Sequence, residues 1–232
     1  MTLLWIPLLS LIGSVISAFT GKLTRNQATS LTMLAPLIAL CITLYHAPAV
    51  LAGETIRFSA AWIPSLGLDF SLRLDGLSLL FIFMILGIGL LVILYSRYYL
   101  SNNDSMAKLY SYLMLFMTAM LGIVMSNNVI QLWVFWELTS ISSFLLISYW
   151  WHKSEARKGA RMALTVTGAG GLALLGGLLI IGDIVGSYNL DIILASRAII
   201  QSHGTISVSF LATSCHGSAN TCERLFTFGD HG

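Results

Sequence analysis

The stretch that decides the fold runs from Val129 to Trp151 and reads VIQLWVFWELTSISSFLLISYWW. A helix rises about 1.5 Å per residue, so this stretch can cross a hydrocarbon layer about 30 Å thick. Its one acidic residue, Glu137, lies roughly 12 Å from Val129 along such a helix, well inside that layer. A carboxyl group at this depth has to be neutral, paired or hydrated. The function of the chain therefore depends on what surrounds Glu137.

The composition of the whole chain predicts an all-α, multi-pass membrane protein. Of the 232 residues 56% are hydrophobic and 9% are charged, whereas a soluble domain carries roughly 25% charged residues. This composition argues against a soluble enzyme and against a nucleic-acid-binding protein. Residues 1–186 are predicted to form the transmembrane block, with six apolar runs at about 3–19, 28–52, 76–95, 109–126, 129–151 and 162–186.

Three connecting segments also carry structural signals. Residues 53–76 alternate polar and apolar side chains, which predicts a short β-hairpin outside the membrane. The pair Asn127–Asn128 predicts a tight turn into the Glu137 helix. Residues 187–203 are amphipathic and are predicted to lie at the membrane interface.

The distribution of Lys and Arg predicts the orientation. Two of the loop cations, Arg57 and Arg73, lie in the hairpin, and eight lie in the loops after the first, third and fifth runs. Positive residues accumulate on the cytoplasmic side, so these three loops are predicted to face the cytoplasm and the N-terminus to lie outside. The eight cations are Lys22, Arg25, Arg97, Lys108, Lys153, Arg157, Lys158 and Arg161.

Glu137 is the one Asp or Glu in the middle of any of the six runs, and two interpretations of it remain open. It can carry a proton or a cation, with water held beside it by the hydroxyl groups that follow along the helix. It can instead be protonated and bonded to a neighbouring helix as a structural contact. The hydroxyl groups in question belong to Thr139, Ser140 and Ser143.

Other polar and small residues carry weaker signals. The glycines of the sixth run, in GAGGLALLGG, are predicted to allow close helix packing and do not form a phosphate-binding loop. Trp133 and Trp136 flank Glu137 and are predicted to be packing residues. The His and Cys residues lack the spacing of a zinc site, so no metal and no cofactor is expected.

Three motifs resemble one family of membrane proteins. RLDGLSLLF (73–81), YSRYYLS (95–101) and FWELTSISSFLLISYW (135–150) are similar to the large, A-type subunit of the multisubunit monovalent cation (Na+)/proton antiporters. That subunit is itself similar to the antiporter-like proton-pumping membrane subunits of respiratory complex I. The resemblance covers roughly residues 1–203, the N-terminal part of the family's sequence. It implies that Glu137 is the family's membrane-embedded glutamate, a proton-relay residue.

The resemblance also implies a cellular setting. It implies a place in the bacterial cytoplasmic membrane, other antiporter subunits as partners beside the lipid bilayer, and H+ and Na+ as the transported ions. Two alternatives stay open at this point. One is an antiporter-like membrane subunit of a respiratory NADH–quinone oxidoreductase or a hydrogenase complex, and the other is a truncated product without transport activity.

The C-terminal segment departs from the family pattern. The family continues into a broken seventh helix with a lysine that partners the glutamate, whereas the last lysine here is Lys158. Codons can be chosen for Thr205–Gly232 that encode the family's expected sequence after a shift of one nucleotide. We therefore expect residues 204–232 to be an unstructured, out-of-frame tail. The nucleotide sequence on both sides of codon 203 tests this expectation, which fails if the shifted frame does not continue the family's reading frame.

Overall fold

A computed structural model of the chain describes residues 2–63, 68–100, 105–152 and 154–196. Within these ranges the chain forms a helical bundle with a small two-stranded sheet at one end. The elements are α1 (Trp5–Ala18), α2 (Arg25–Leu51), β1 (Ile56–Ile63), β2 (Leu68–Leu74), α3 (Gly76–Tyr99), α4 (Met106–Met125), α5 (Val129–Ile147), α6 (Ser154–Val185) and α7 (Leu190–Ala195).

Five helices within the described ranges, α2 to α6, are long and apolar enough to cross a membrane. The first apolar helical segment is shorter than these five helices. It consists of a 3-10 turn over Thr2–Leu4 and α1, and it ends at Ala18. Such a segment rises ~27 Å, slightly less than a typical hydrocarbon layer. The predicted all-α membrane bundle is confirmed, with its first helix at the lower limit of a span.

Helix α6 begins at Ser154, eight residues before the predicted run at 162–186. The added segment contains Glu155, Arg157, Lys158 and Arg161, which a search for apolar runs excludes. Glu, Arg and Lys nevertheless favour helix formation, so the helix continues through them. At 32 residues α6 is ~48 Å long and extends well beyond the apolar layer at its basic end.

Helix α4 is the centre of the bundle and contacts α1, α2, α3 and α5. Tyr110, Met114, Leu121 and Met125 of this helix are fully buried. The Tyr110 hydroxyl lies 2.9 Å from Oγ1 of Thr29, so its polar end is satisfied inside the core. Helix α6, in contrast, packs mainly against α5 and keeps much of its apolar surface exposed. In a membrane protein such a surface meets lipid or further protein.

The predicted β-hairpin is confirmed, since β1 and β2 pair as antiparallel strands. Strand β2 also pairs with the turn between α4 and α5, where the amide of Asn127 donates to the carbonyl of Ser71 at 3.0 Å. On its other side this turn pairs with Tyr188–Leu190. The amide of Val129 donates to Tyr188 O at 2.9 Å, and the amide of Leu190 donates to Asn127 O at 2.8 Å. The predicted Asn127–Asn128 turn is therefore the middle of three paired segments.

Helix α7 accounts for part of the predicted amphipathic segment 187–203. It is helical over Leu190–Ala195 and is held at the hairpin by Asp191, which lies 2.6 Å from Arg73 and 3.2 Å from Arg57. The remainder of that segment from residue 197, and the predicted tail at 204–232, lie outside the described residues.

Asp75 caps the N-terminus of α3 and is part of the same ionic network. Its carboxylate accepts a hydrogen bond from the amide of Ser78 at 2.8 Å and lies 2.8 Å from Nη2 of Arg73. Partial burial alone raises the pKa of Asp75, but the hydrogen bonds from Ser78 and the charge of Arg73 together hold it below its usual value. The ionised carboxylate is therefore the form that stabilises the fold.

Substitution Asp75→Ala is expected to lower the free energy of unfolding by about 1–2 kcal/mol at pH 7, because the cap and the contact with Arg73 are both lost. The folded-state pKa is depressed, so this stabilisation is present above the ordinary carboxyl pKa of about 3.9 and is lost as the pH falls through the folded value. Thermal unfolding in detergent, followed by circular dichroism from pH 7 downward, measures the difference.

Asp69→Ala is the matched control, since Asp69 is an exposed carboxylate on β2, the strand that ends just before Asp75. Its replacement is expected to change the melting temperature little at any pH. An equal loss in both variants, or a loss at Asp75 that does not change with pH, contradicts the capping role.

Candidate functional site

The depth of Glu137 follows from where α5 begins. Asn128 caps this helix, because its Oδ1 accepts from the amides of Ile130 at 2.9 Å and Gln131 at 3.3 Å. The turn that holds Asn128 is paired on both sides, so the first residue of the helix is well defined. Glu137 follows eight residues after Val129, which places it ~12 Å along the helix axis.

Glu137 faces α6 at Gly171. A Cβ atom added to the buried Gly171 would lie 2.8 Å from Cδ of Glu137 and would overlap its Oε1. One turn earlier on the same face of α5, Nε1 of Trp133 donates to the carbonyl of Gly171 at 2.8 Å. The two helices are thus joined at this level, and the missing side chain of Gly171 makes the space that the carboxyl group occupies.

The carboxyl group of Glu137 has an unsatisfied atom. Its Oε1 is buried and has no hydrogen-bond partner among the described residues. A buried polar atom without a partner is unfavourable, and in membrane helices such groups line proton or ion paths or meet a polar partner. The described helices therefore do not use this oxygen as a hydrogen-bonded contact between them.

The three hydroxyl residues predicted to hydrate Glu137 are placed differently around α5. Ser140 is buried and lies about 60° around the helix axis from Glu137, whereas Thr139 lies about 160° and Ser143 about 120° away. The hydroxyl groups of Thr139 and Ser140 donate to Trp136 O, at 2.6 Å and 3.4 Å. Ser140 is thus the one of the three on the face of Glu137, and a role in hydration stays a prediction.

Sequence reasoning did not single out Gly171 or assign a partner to Trp133. The glycine-rich composition of α6 was the available signal, and close packing was predicted for the whole run. Gly168, Gly170 and Gly176, however, have open space at the position of a Cβ atom. Only the packing of α6 on α5 distinguishes Gly171 from them.

No group of three His, Cys, Asp or Glu side chains comes together as a metal-ligand set within the described ranges. The expectation that the chain binds no metal and no cofactor stays a prediction.

Two family models match the chain. One is described as the N-terminus of chain 5 of NADH-ubiquinone oxidoreductase (complex I) and matches residues 62–110. The other is described as the transmembrane region of NADH:quinone oxidoreductase/Mrp antiporter and matches residues 126–216. The second match includes both Glu137 and Gly171.

Curated relatives match over most of the chain. A probable K(+)/H(+) antiporter A/B subunit from Rhizobium meliloti (strain 1021) is 46% identical over 210 residues, which are 89% of this chain and 21% of the relative. A Na(+)/H(+) antiporter A-type subunit from Alkalihalophilus pseudofirmus is 38% identical over 85% of this chain and 25% of its own length. The chain thus spans about a fifth to a quarter of the relatives it matches.

A solved structure gives the same result for the fold. The Mrp complex from Dietzia sp. DQ12-45-1b contains a chain that superposes with a TM-score of 0.73 at 29% identity, over 92% of this chain and 24% of that one. The motifs around Glu137, the two family models and this superposition agree. The chain belongs to the family of antiporter-like membrane subunits that NADH:quinone oxidoreductase and Mrp antiporters share.

Proposed function

We propose that the chain is the N-terminal part of the A-type subunit of a cation/proton antiporter, and that Glu137 relays protons in the complete protein. The observation that carries this proposal is the buried Oε1 of Glu137, which has no partner among the described residues and lies in a helix long and apolar enough to cross a membrane. The names of the curated relatives support it, since both are antiporter subunits. In this proposal the protein is part of a transporter and not an enzyme.

The physical basis is the difference between the two protonation states of a membrane-embedded carboxyl group. The neutral form is tolerated in an apolar bundle, whereas the charged form needs a polar partner or water close by. Oε1 has no such partner among the described residues. A group that approaches from the rest of the complete protein, or water that enters beside Ser140, would therefore decide when Glu137 holds its proton.

We propose the class of the transported cation from the names of the two relatives. The relative from Rhizobium meliloti is named for K(+) and the one from Alkalihalophilus pseudofirmus for Na(+). A monovalent alkali cation is common to both names, and Na+ is the first candidate for this chain. Further antiporter subunits and the lipid bilayer are the proposed partners, and the largely exposed apolar surface of α6 is suited to meet them.

We also propose the bacterial cytoplasmic membrane as the location, with the N-terminus outside. Arg97 at the end of α3, Lys108 at the start of α4 and the cations at the start of α6 belong to one end of the bundle. At the hairpin end Arg57 and Arg73 both form ion pairs with Asp191. The end opposite to the hairpin, which carries these loop cations, is therefore proposed to face the cytoplasm.

Cysteine labelling in intact cells tests this orientation. In a variant without Cys41, Cys215 and Cys222, Glu54→Cys is expected to react with a membrane-impermeant maleimide in intact cells, and Gly159→Cys only after lysis. The reverse labelling pattern contradicts the proposed orientation.

Substitution Glu137→Gln is expected to reduce cation-driven proton exchange roughly a hundredfold in a complete antiporter complex that contains this chain. The amide keeps the size of the side chain but cannot take up and release a proton. Dequenching of a pH-sensitive dye in inverted vesicles measures the exchange. Glu155→Gln, outside the apolar part of α6, is the control and should leave the rate unchanged. Normal exchange by an assembled Glu137→Gln complex would show that the residue is structural.

Substitution Gly171→Ala tests the geometry around Glu137. The added methyl group overlaps Oε1, so either the carboxyl group moves or the helices separate, and we expect the exchange rate to fall roughly tenfold or more. The pH at which exchange is half-maximal should also shift, because the surroundings of the relay group change. Dye dequenching across a pH series measures both effects.

Gly176→Ala is the matched control, because its Cβ position is open and alanine favours the helix. It should keep the wild-type rate and pH profile. If both variants behave alike, the contact between Gly171 and Glu137 does not matter for transport.

A further inference from the structure

Buried polar atoms without a partner are concentrated at the hairpin junction, the place where β2, the turn at Ser126–Asn128, the start of α5 and the segment Tyr188–Asp191 meet. In the described residues six side-chain atoms are buried and lack a hydrogen-bond partner. Four of these six belong to the hairpin junction: Ser71 Oγ, Arg73 Nε, Asn127 Oδ1 and Gln131 Nε2.

These four residues form one connected cluster. The amide of Ser71 donates to Oε1 of Gln131 at 2.8 Å, and the carbonyl of Ser71 accepts from the amide of Asn127 at 3.0 Å. Nδ2 of Asn127 donates to Asp191 at 3.0 Å, and Asp191 in turn accepts from Nη1 of Arg73 at 2.6 Å. Gln131, Asn127 and Ser71 are only 2%, 4% and 6% exposed. The four unsatisfied atoms therefore belong to residues of one hydrogen-bonded cluster, which is open to the outside only at the partly exposed side chains of Arg73 and Asp191.

The chemistry of the four atoms identifies the missing ligand. Nε of Arg73 and Nε2 of Gln131 are donors, Oδ1 of Asn127 is an acceptor, and the hydroxyl group of Ser71 can do either. A bare cation is disfavoured, because it would face the two N–H groups. An anion is disfavoured too, because it would face the Asn127 oxygen beside the Asp191 carboxylate. The charges around the site already balance, with Arg57 and Arg73 against Asp75 and Asp191. A small neutral ligand that both donates and accepts satisfies all four atoms.

We propose that the hairpin junction is a binding site for ordered water, with about one or two molecules that bridge Ser71, Asn127 and Gln131 to Arg73. The water completes the hydrogen bonding of a region in which buried polar groups would otherwise be unsatisfied. It also places a hydrated polar site at Gln131 in the first turn of α5, six residues or ~9 Å along the helix before Glu137. This proposal rests on hydrogen-bond geometry and does not depend on the proposed transport function.

Ser71→Ala in the full chain, held in lipid nanodiscs, tests the proposal by the sign of its effect. Oγ of Ser71 has no protein partner in the described residues, so the substitution removes contacts with the ligand alone. If water is bound, the melting temperature should fall by roughly 2–4 °C, because hydrogen bonds to that water are lost. If the junction is dry, the substitution removes an unsatisfied hydroxyl group, and the melting temperature should rise.

Ser10→Ala is the matched control. Ser10 Oγ is the one other buried hydroxyl without a partner in the described residues, and it lies alone in α1, away from the cluster. Its removal is expected to leave the melting temperature unchanged or to raise it. Ser71→Cys, which keeps the size but weakens the hydrogen bonding, should lower the melting temperature as Ser71→Ala does, and excludes a packing effect.

A density map of the assembled complex at water-resolving resolution gives the direct result. Peaks within hydrogen-bond distance of Ser71 Oγ and Gln131 Nε2 support the proposal, whereas an empty junction overturns it. A melting temperature that rises with NaCl or KCl in the wild type but not in Ser71→Ala also overturns it, in favour of a cation. Because neither readout is transport, failure here leaves the proposed role of Glu137 unaffected.

Discussion

The position of Glu137 depends on how the turn between α4 and α5 is held. Asn127 pairs with β2 through Ser71 on one side, and the turn pairs with Tyr188 and Leu190 on the other. Backbone outside a helix has to find hydrogen bonds in or near a membrane, and these two edges provide them. The same bonds determine where α5 starts and where the chain that follows α6 returns. They therefore determine the level at which Glu137 lies within the bundle.

Charge is distributed unequally between the two ends and the middle of the molecule. At the hairpin end both arginines are in ion pairs, Arg57 with Asp191 and Arg73 with Asp75 and Asp191. The opposite end carries an excess of positive residues, which suits a position against the cytoplasm. Between them Glu137 lies against a glycine, with one oxygen that no described residue satisfies. This contrast supports the proposal that Glu137 is the group whose charge state changes.

Much of the architecture could be predicted because bilayer thickness and side-chain period act locally. Apolar runs of about 20 residues predict helices, and alternation over residues 68–74 predicts a strand. The start of α6 at Ser154 could not be predicted from hydropathy. Its first residues are charged and therefore lie outside the apolar run, although they still favour a helix. Residues 197–232 lie outside the described residues. The end of the predicted interfacial segment and the predicted tail at 204–232 therefore stay predictions.

The sequence by itself determined that Glu137 lies inside a membrane-spanning helix, because one acidic residue in an apolar run of that length has no other place. Tertiary structure alone decided what it faces. A helical period shows which residues share a face, but not which residue of the next helix stands opposite. Among the similar glycines of α6, packing on α5 puts Gly171 against the carboxyl group and Trp133 on its carbonyl. The polar cluster of Ser71, Asn127 and Gln131 likewise exists only because three distant segments meet there.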